Sequence, residues 1–312
     1  MASATRQAPA RATRADRRRS PRHEEARLAL WLLLPTVIVL LAVVGYPILR
    51  ALYLSFYSDA RFGTSEFIGF GNYTRALFGT DAADFWGAWR FTTLLAAVSV
   101  ALELLIGLGM ALIMHRAFLG RGLVRTSVLV PWAIPTAVTA LLWQWMFDAN
   151  SGVVNALTGA DVIWTGSKWP SFFAIVIADV WKTAPFVGLL LLAGLQIIPN
   201  ELHEAAKVDG ATARQRFWRI TLPLLRPAIL VAVLFRMLDA LRIFDLVQIM
   251  TGGANDTATL SLLGYQEAID KVRIHYGSAL AVLTFLYIMV CAFAFVKLLG
   301  ASVVRTQARE VR

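Results

Sequence analysis

Charged side chains recur inside segments that are otherwise apolar enough to lie in lipid. Asp179 and Lys182 stand three residues apart, with Thr183 and Phe186 close behind. Arg236, Asp239, Arg242 and Asp245 follow at intervals of three, and Glu103 stands alone in an earlier apolar run. A charge at mid-bilayer costs ~2.5–3.5 kcal/mol even on the lenient insertion scale, so such groups must pair or face water. Helical spacing of three puts neighbours within ion-pair reach. Each such step also drifts ~60° round the helix. Arg236–Asp239 and Arg242–Asp245 are therefore expected to face different directions and not to line one pocket. Arg242 and Asp245 read as a structural pair. Arg236 and Asp239, on one face with Ala240 and Ile243, read as the wall of a water-filled path. Glu103 is expected to pair within the bundle or with another subunit.

This is chemistry for holding a polar solute, not for breaking bonds. There is no G-x-x-x-x-G-K-[ST] run to cradle nucleotide phosphates. The four His (23, 115, 203, 275) are scattered, with no metal-ligand spacing. No nucleophile elbow or Ser/His/Asp grouping stands out. The chain reads as non-catalytic, with no cofactor of its own.

The surroundings of these charges set the class. Of 312 residues, 58% are hydrophobic and 16% charged, against about 25% charged in a soluble domain. The chain belongs in a membrane. Trp143 and Trp145 suit interfacial anchoring. The single Cys291 lies in an apolar run, cannot form an internal disulfide, and reads as a small buried hydrophobe. The net charge of +10 is concentrated: eight Arg lie in residues 1–27, a Pro/Ala/Arg-rich stretch with little to bury. That is expected to be a disordered arm facing the anionic inner leaflet, not a nucleic-acid binder. The following apolar stretch, 28–49, is long for a signal peptide and reads as a retained anchor.

A span needs ~20 apolar residues. Six are expected, at about 28–57, 91–115, 123–147, 171–197, 222–250 and 275–300. Pro131 and Pro135 should bend the third. Lys and Arg crowd one side: the arm, Arg116, Arg121 and Arg125, then Lys207, Arg214, Arg216, Arg219 and Arg226, then the tail 301–312. That side is cytoplasmic, and both termini lie there. No internal repeat is visible.

Between the fourth and fifth spans lies HEAAKVDGATARQRFWRITLP, residues 203–223. Asn200 suits an N-cap, and Glu201 and Glu204 suit a helix N-terminus. The helix should end near Val208, with Gly210 as a left-handed cap. A second short helix is expected over 211–220, before Leu222-Pro223 opens the fifth span. Leu202, Ala205 and Ala206 make a small apolar face beside Glu204. A docking knob for another protein and an amphipathic helix lying on lipid both fit.

Glu204, Ala205 and Ala206, then Asp209-Gly210, Ile220, and Leu222-Pro223 reproduce the EAA loop signature. The segment resembles the permease subunits of binding-protein-dependent ABC importers. The stretches GYPILRALYLSF (45–56), FIGFGNY (67–73), VPWAIPTAVTALLWQWMF (130–147), LLLLAGLQIIPNELHEAAKVDGA (189–211) and FRMLDALRIFDLVQIMTGGANDTATL (235–260) are similar to its carbohydrate branch, of the maltose and actinobacterial trehalose kind. Ala254 stands where many relatives carry proline. The resemblance covers about 28–300, between the arm 1–27 and the tail 301–312.

It implies an all-α integral membrane protein of six transmembrane helices with a cytoplasmic coupling-helix loop at about 200–220. It implies docking of a cytoplasmic ATPase, present in two copies that hold the ATP and Mg. A second homologous permease subunit and an extracytoplasmic sugar-binding lipoprotein are the other expected partners. The substrate path it implies runs along Lys182, Thr183, Phe186, Arg236, Asp239, Ala240 and Ile243. The expected function is ATP-driven import of a di- or oligosaccharide, with trehalose as one such sugar. A self-sufficient secondary transporter is the alternative; it would need pseudo-symmetric halves and discontinuous helices, and the sequence shows neither.

Overall fold

The computed structural model describes residues 21–59, 64–116, 118–159 and 161–297. Most of the basic arm and the tail 301–312 lie outside the described residues. The chain divides into residues 1–50 and residues 51–312.

The first unit is helical. Helix α1 (Pro21–Leu40) passes through a π-helical turn (Leu41–Gly45) into α2 (Tyr46–Leu54). It starts inside the expected arm, at Pro21, where a missing N–H is harmless in a first turn. Residues 26–54 are long and apolar enough to cross a membrane.

The second unit is built round α8 (Lys168–Ile197). In its most apolar stretch 67% of residues are buried, against 28% in α4 (Ala82–His115). A helix apolar on all faces is one that neighbours enclose. Helix α4 lays Ser99, Glu103, Gly107 and Ala111, four apart, along its buried side. The crossing with α8 is tight. A Cβ on Gly107 would stand 2.8 Å from Val187 Cγ1, and one on Gly188 would stand 3.3 Å from the Gly107 carbonyl. Small residues at such crossings let helix backbones approach in lipid. Helix α11 (Leu222–Ala240) meets α8 the same way, with Gly194 beneath Leu225 and Ala228.

Two spans are discontinuous. The third divides into α5 (Arg121–Ala133) and α6 (Thr136–Met146), which meet at 91°. Pro135 has no N–H and pushes Ile134 out of the helical region, to ψ 133°. The expected bend is a break. The fifth, expected to run unbroken over 222–250, stops at Ala240 and restarts as α12 (Asp245–Met250). Neither Pro nor Gly marks that break. Side chains take up its freed carbonyls instead: Arg242 Nε donates to Leu238 O at 3.2 Å, and Thr259 Oγ1 to Ile243 O at 3.0 Å. Buried backbone can leave a helix in lipid only when it is satisfied in this way. Helix α12 packs on α6, where Gln144 Nε2 donates to Ile249 O at 3.0 Å.

After α12 come α13 (Leu260–Tyr265), a π-helical turn (Gln266–Asp270) and α14 (Ile274–Phe295), the last span. Asp59 caps α14 from a distance: its carboxylate accepts the N–H groups of His275 (2.8 Å) and Tyr276 (3.0 Å). With each broken pair counted as one, up to six spans are present, as the apolar runs imply.

Candidate functional site

Glu103 on α4, Asp179 and Thr183 on α8, and Arg236 and Asp239 on α11 converge on one guanidinium. Arg236 Nε and Nη2 clasp Glu103, at 2.5 Å to Oε2 and 2.7 Å to Oε1. Nη2 also reaches Asp179 Oδ2 at 3.1 Å, and Nη1 reaches Asp239 Oδ2 at 2.5 Å. Thr183 Oγ1 lies 2.6 Å from both Glu103 Oε1 and Asp179 O. Glu103 is wholly buried, and Arg236 is 2% exposed. One cation thus holds three carboxylates, each from a different turn or helix. A fork of five N–H groups allows this where an ammonium would not.

Spacing alone anticipated part of this. Arg236 and Asp239 pair across three residues, as expected. Asp179 and Lys182 do not: Asp179 turns to Arg236, and Lys182 Nζ donates to the Ile134 carbonyl at 2.5 Å. Lys182 thereby places a cation at the C-terminal end of α5, where the helix dipole favours one. Arg242 and Asp245 form no ion pair among the described residues, because the break after Ala240 removes them from a common helix. Glu103 pairs within the bundle, with Arg236.

A cleft of about 160 Å³ opens beside the network. Its walls include Lys182 and Thr183 from α8, Arg236, Asp239 and Ala240 from α11, and Arg242, Ile243, Phe244 and Asp245 from the break. Thr136, at the start of α6, and Leu246 complete it with Asp179. The expectation that Arg236–Asp239 and Arg242–Asp245 cannot share a pocket is overturned. The ~100° per residue of a regular helix does not extend across an interrupted one. Phe186 is a second correction: it stacks on Trp132 (centroids 5.8 Å, planes 17° apart) and does not line the cleft. Phe244 supplies an aromatic wall instead. Thr136 and Phe244 escaped the sequence reading; the Ile134-Pro135 step was the available signal for the first. Discontinuous helices, unseen in the sequence, are present.

The polar segment between α8 and α11 is a helix and a turn. Helix α9 (Asn200–Val208) begins on Asn200, with Pro199, not Asn200, at the N-cap. Gly210 adopts φ +79°. Its N–H donates to Lys207 O (3.0 Å), and Ala211 N–H to Ala206 O (2.8 Å), the paired bonds of a Schellman turn. Glu204, Ala205, Asp209 and Gly210 are exposed, and Ala206 is half-buried. Thr212 and Gln215 form a reciprocal capping box that starts α10 (Ala213–Arg216). The expected separate helix over 211–220 is not separate. It runs through a π-helical turn (Phe217–Thr221, containing Ile220) into α11, where Leu222 and Pro223 form the first turn. Helix α10 is therefore continuous with the span.

Comparison with known proteins places this architecture. Residues 103–305 match the family described as binding-protein-dependent transport system inner membrane component. The chain is 43% identical over 287 residues to the trehalose transport system permease protein SugA of Mycobacterium tuberculosis, covering 91% of this chain and 92% of that one. It is 40% identical over 283 residues to the trehalose/maltose transport system permease protein MalF of Thermococcus litoralis, covering 88% and 95%. Its fold is similar to a chain of a bacterial alginate ABC transporter solved in complex with an alginate pentasaccharide-bound periplasmic protein (TM-score 0.77, 24% identity, 89% and 96% covered). This chain belongs to the family of binding-protein-dependent transport system inner membrane components, as an ABC transporter permease.

Proposed function

We propose that this chain is one half of the transmembrane path of an ATP-driven sugar importer, carrying a disaccharide of the trehalose and maltose class into the cytoplasm. The observation that carries the reading is α9 with its Gly210 turn. A prefolded, exposed helix set between two spans is suited to receive force from a partner and pass it to the bundle. The relatives named for trehalose and maltose support the substrate class. Glu204, Ala205, Ala206, Asp209 and Gly210 present the docking surface; Ile220, Leu222 and Pro223 link it to α11. Two ATPase subunits supply hydrolysis, with ATP and Mg on those partners and no cofactor on this chain. A second, homologous permease completes the path, and an extracytoplasmic sugar-binding lipoprotein delivers the sugar. Closure of the ATPase pair shifts the bundle between inward- and outward-open states by binding one better than the other. The cleft beside Arg236 is the sugar's place within the membrane.

The test is reconstitution of the chain with these partners in proteoliposomes. Uptake of labelled trehalose should require ATP and the binding protein. Uptake that persists without the ATPase and follows an ion gradient would instead support the secondary-transporter reading.

A further inference from the structure

We propose that Asp239 is the group of the cleft that reads the solute, and that it favours uncharged, hydroxyl-rich sugars over acidic ones. The proposal rests on the reading of the cleft as the sugar path. It follows from counting donors and acceptors. Arg236 has five N–H groups. Four are committed: one to Glu103 Oε2, one to Glu103 Oε1, one to Asp179 and one to Asp239. Clamping a carboxylate takes two free parallel N–H groups, and Arg236 has one N–H left. Its side chain is 3% exposed. Lys182 directs its ammonium to the Ile134 carbonyl. Arg236 is thus turned to the protein, while half-buried Lys182 gives the backbone one of its three N–H donors.

Asp239 is placed the other way. Its side chain is 66% exposed on the cleft, and Arg236 pins only its Oδ2. Its Oδ1 takes no hydrogen bond from the protein among the described residues. A carboxylate fixed by one oxygen and open at the other accepts hydroxyl donors without losing its place. Asp245, exposed on the far side of the break, adds a second acceptor of the same sign. Ile243 and Phe244 supply apolar surface for the C–H face of a ring. A sugar carboxylate entering this space meets like charge at Asp239 and Asp245, and no free fork on Arg236. Arg242 is the single cation of the cleft whose terminal nitrogens are uncommitted among the described residues; its Nε donates to Leu238 O.

The assembled transporter in nanodiscs, without its binding protein, allows direct measurement of sugar binding to the permease. The probes are trehalose and a disaccharide of uronic acids. The wild-type complex should bind trehalose at least about tenfold more tightly than the acidic sugar. Asp239→Asn should weaken trehalose binding and narrow that ratio towards one, while Asp239→Glu keeps the preference. An unchanged ratio in an assembled, ATP-hydrolysing Asp239→Asn complex overturns the proposal and leaves the sugar path intact. So does a wild-type preference for the acidic sugar that disappears in Arg242→Gln. A wild-type complex that hydrolyses ATP and binds neither sugar overturns the sugar path itself, and the proposal with it.

Discussion

Lys182 closes the break in the third span: its ammonium donates to the carbonyl of Ile134, the last residue before Pro135, from 48 positions away in the chain. The residue lines the cleft and also holds two half-helices at their 91° corner. Thr136, the first residue of the second half, lines the cleft. Removing the clasp should loosen the wall. Lys182→Met should destabilise the assembled complex by about 1–2 kcal/mol, the worth of a half-buried hydrogen bond from a charged donor. Lys182→Arg should recover most of that. Thermal unfolding in detergent, followed by tryptophan fluorescence, measures both.

Arg236 serves three carboxylates, and this decides how its variants behave. If it were paired with Asp239 alone, neutralising both would restore balance. With Glu103 and Asp179 also on the guanidinium, Arg236→Gln leaves two buried carboxylates unpaired, a loss of about 3–5 kcal/mol. The Arg236→Gln/Asp239→Asn double variant should assemble no better than Arg236→Gln. Asp239→Asn alone should assemble. Recovery of assembled complex by size-exclusion chromatography distinguishes the cases, and rescue by the double variant would show that the pair acts alone.

Gly210 holds φ +79° with open space where a Cβ would stand. A substitution there is penalised by backbone strain, not by collision. Left-handed backbone costs an ordinary residue about 1–2 kcal/mol, more when β-branched. Gly210→Val should undo the turn, misdirect α9 and abolish uptake. Gly210→Asn, which tolerates this conformation, should keep most of it. Capture of the ATPase on the immobilised permease, alongside uptake, reads the effect; full uptake by Gly210→Val with Glu204→Lys would remove α9 from the coupling role.

Gly107 presents the opposite case. Its φ is ordinary, but a Cβ would meet Val187 at 2.8 Å in the centre of the α4–α8 crossing. Gly107→Val should push the helices apart and carry Glu103 away from Arg236. The expected result is loss of folded protein from the membrane, and pairing it with Val187→Ala should restore part of the yield. Immunoblotting of membrane fractions is sufficient to check both.

What could be read from the residues alone follows the range of the interactions. Spans and the Gly210 turn are set by composition and by neighbours a few residues apart, and they were legible. So was Arg236–Asp239, an i,i+3 pair. Glu103–Arg236 joins residues 133 apart, and no local pattern links them. The break at 241–244 carries no Pro or Gly; it is held open by Arg242 and Thr259, and Thr259 is brought there only by the fold. Helical arithmetic carried across that break misplaced Arg242 and Asp245. Phe186 has the right spacing for the cleft, yet Trp132 takes its ring.

The three-carboxylate clasp also sets an order on how the chain enters the bilayer. Glu103 and Asp179 are made 133 and 57 residues before Arg236. During synthesis α4 and α8 therefore arrive at the membrane carrying acidic groups whose counter-ion has not yet left the ribosome. Delivery of α11 is the step that brings the counter-ion, and a chain arrested before residue 236 holds two acidic groups without it.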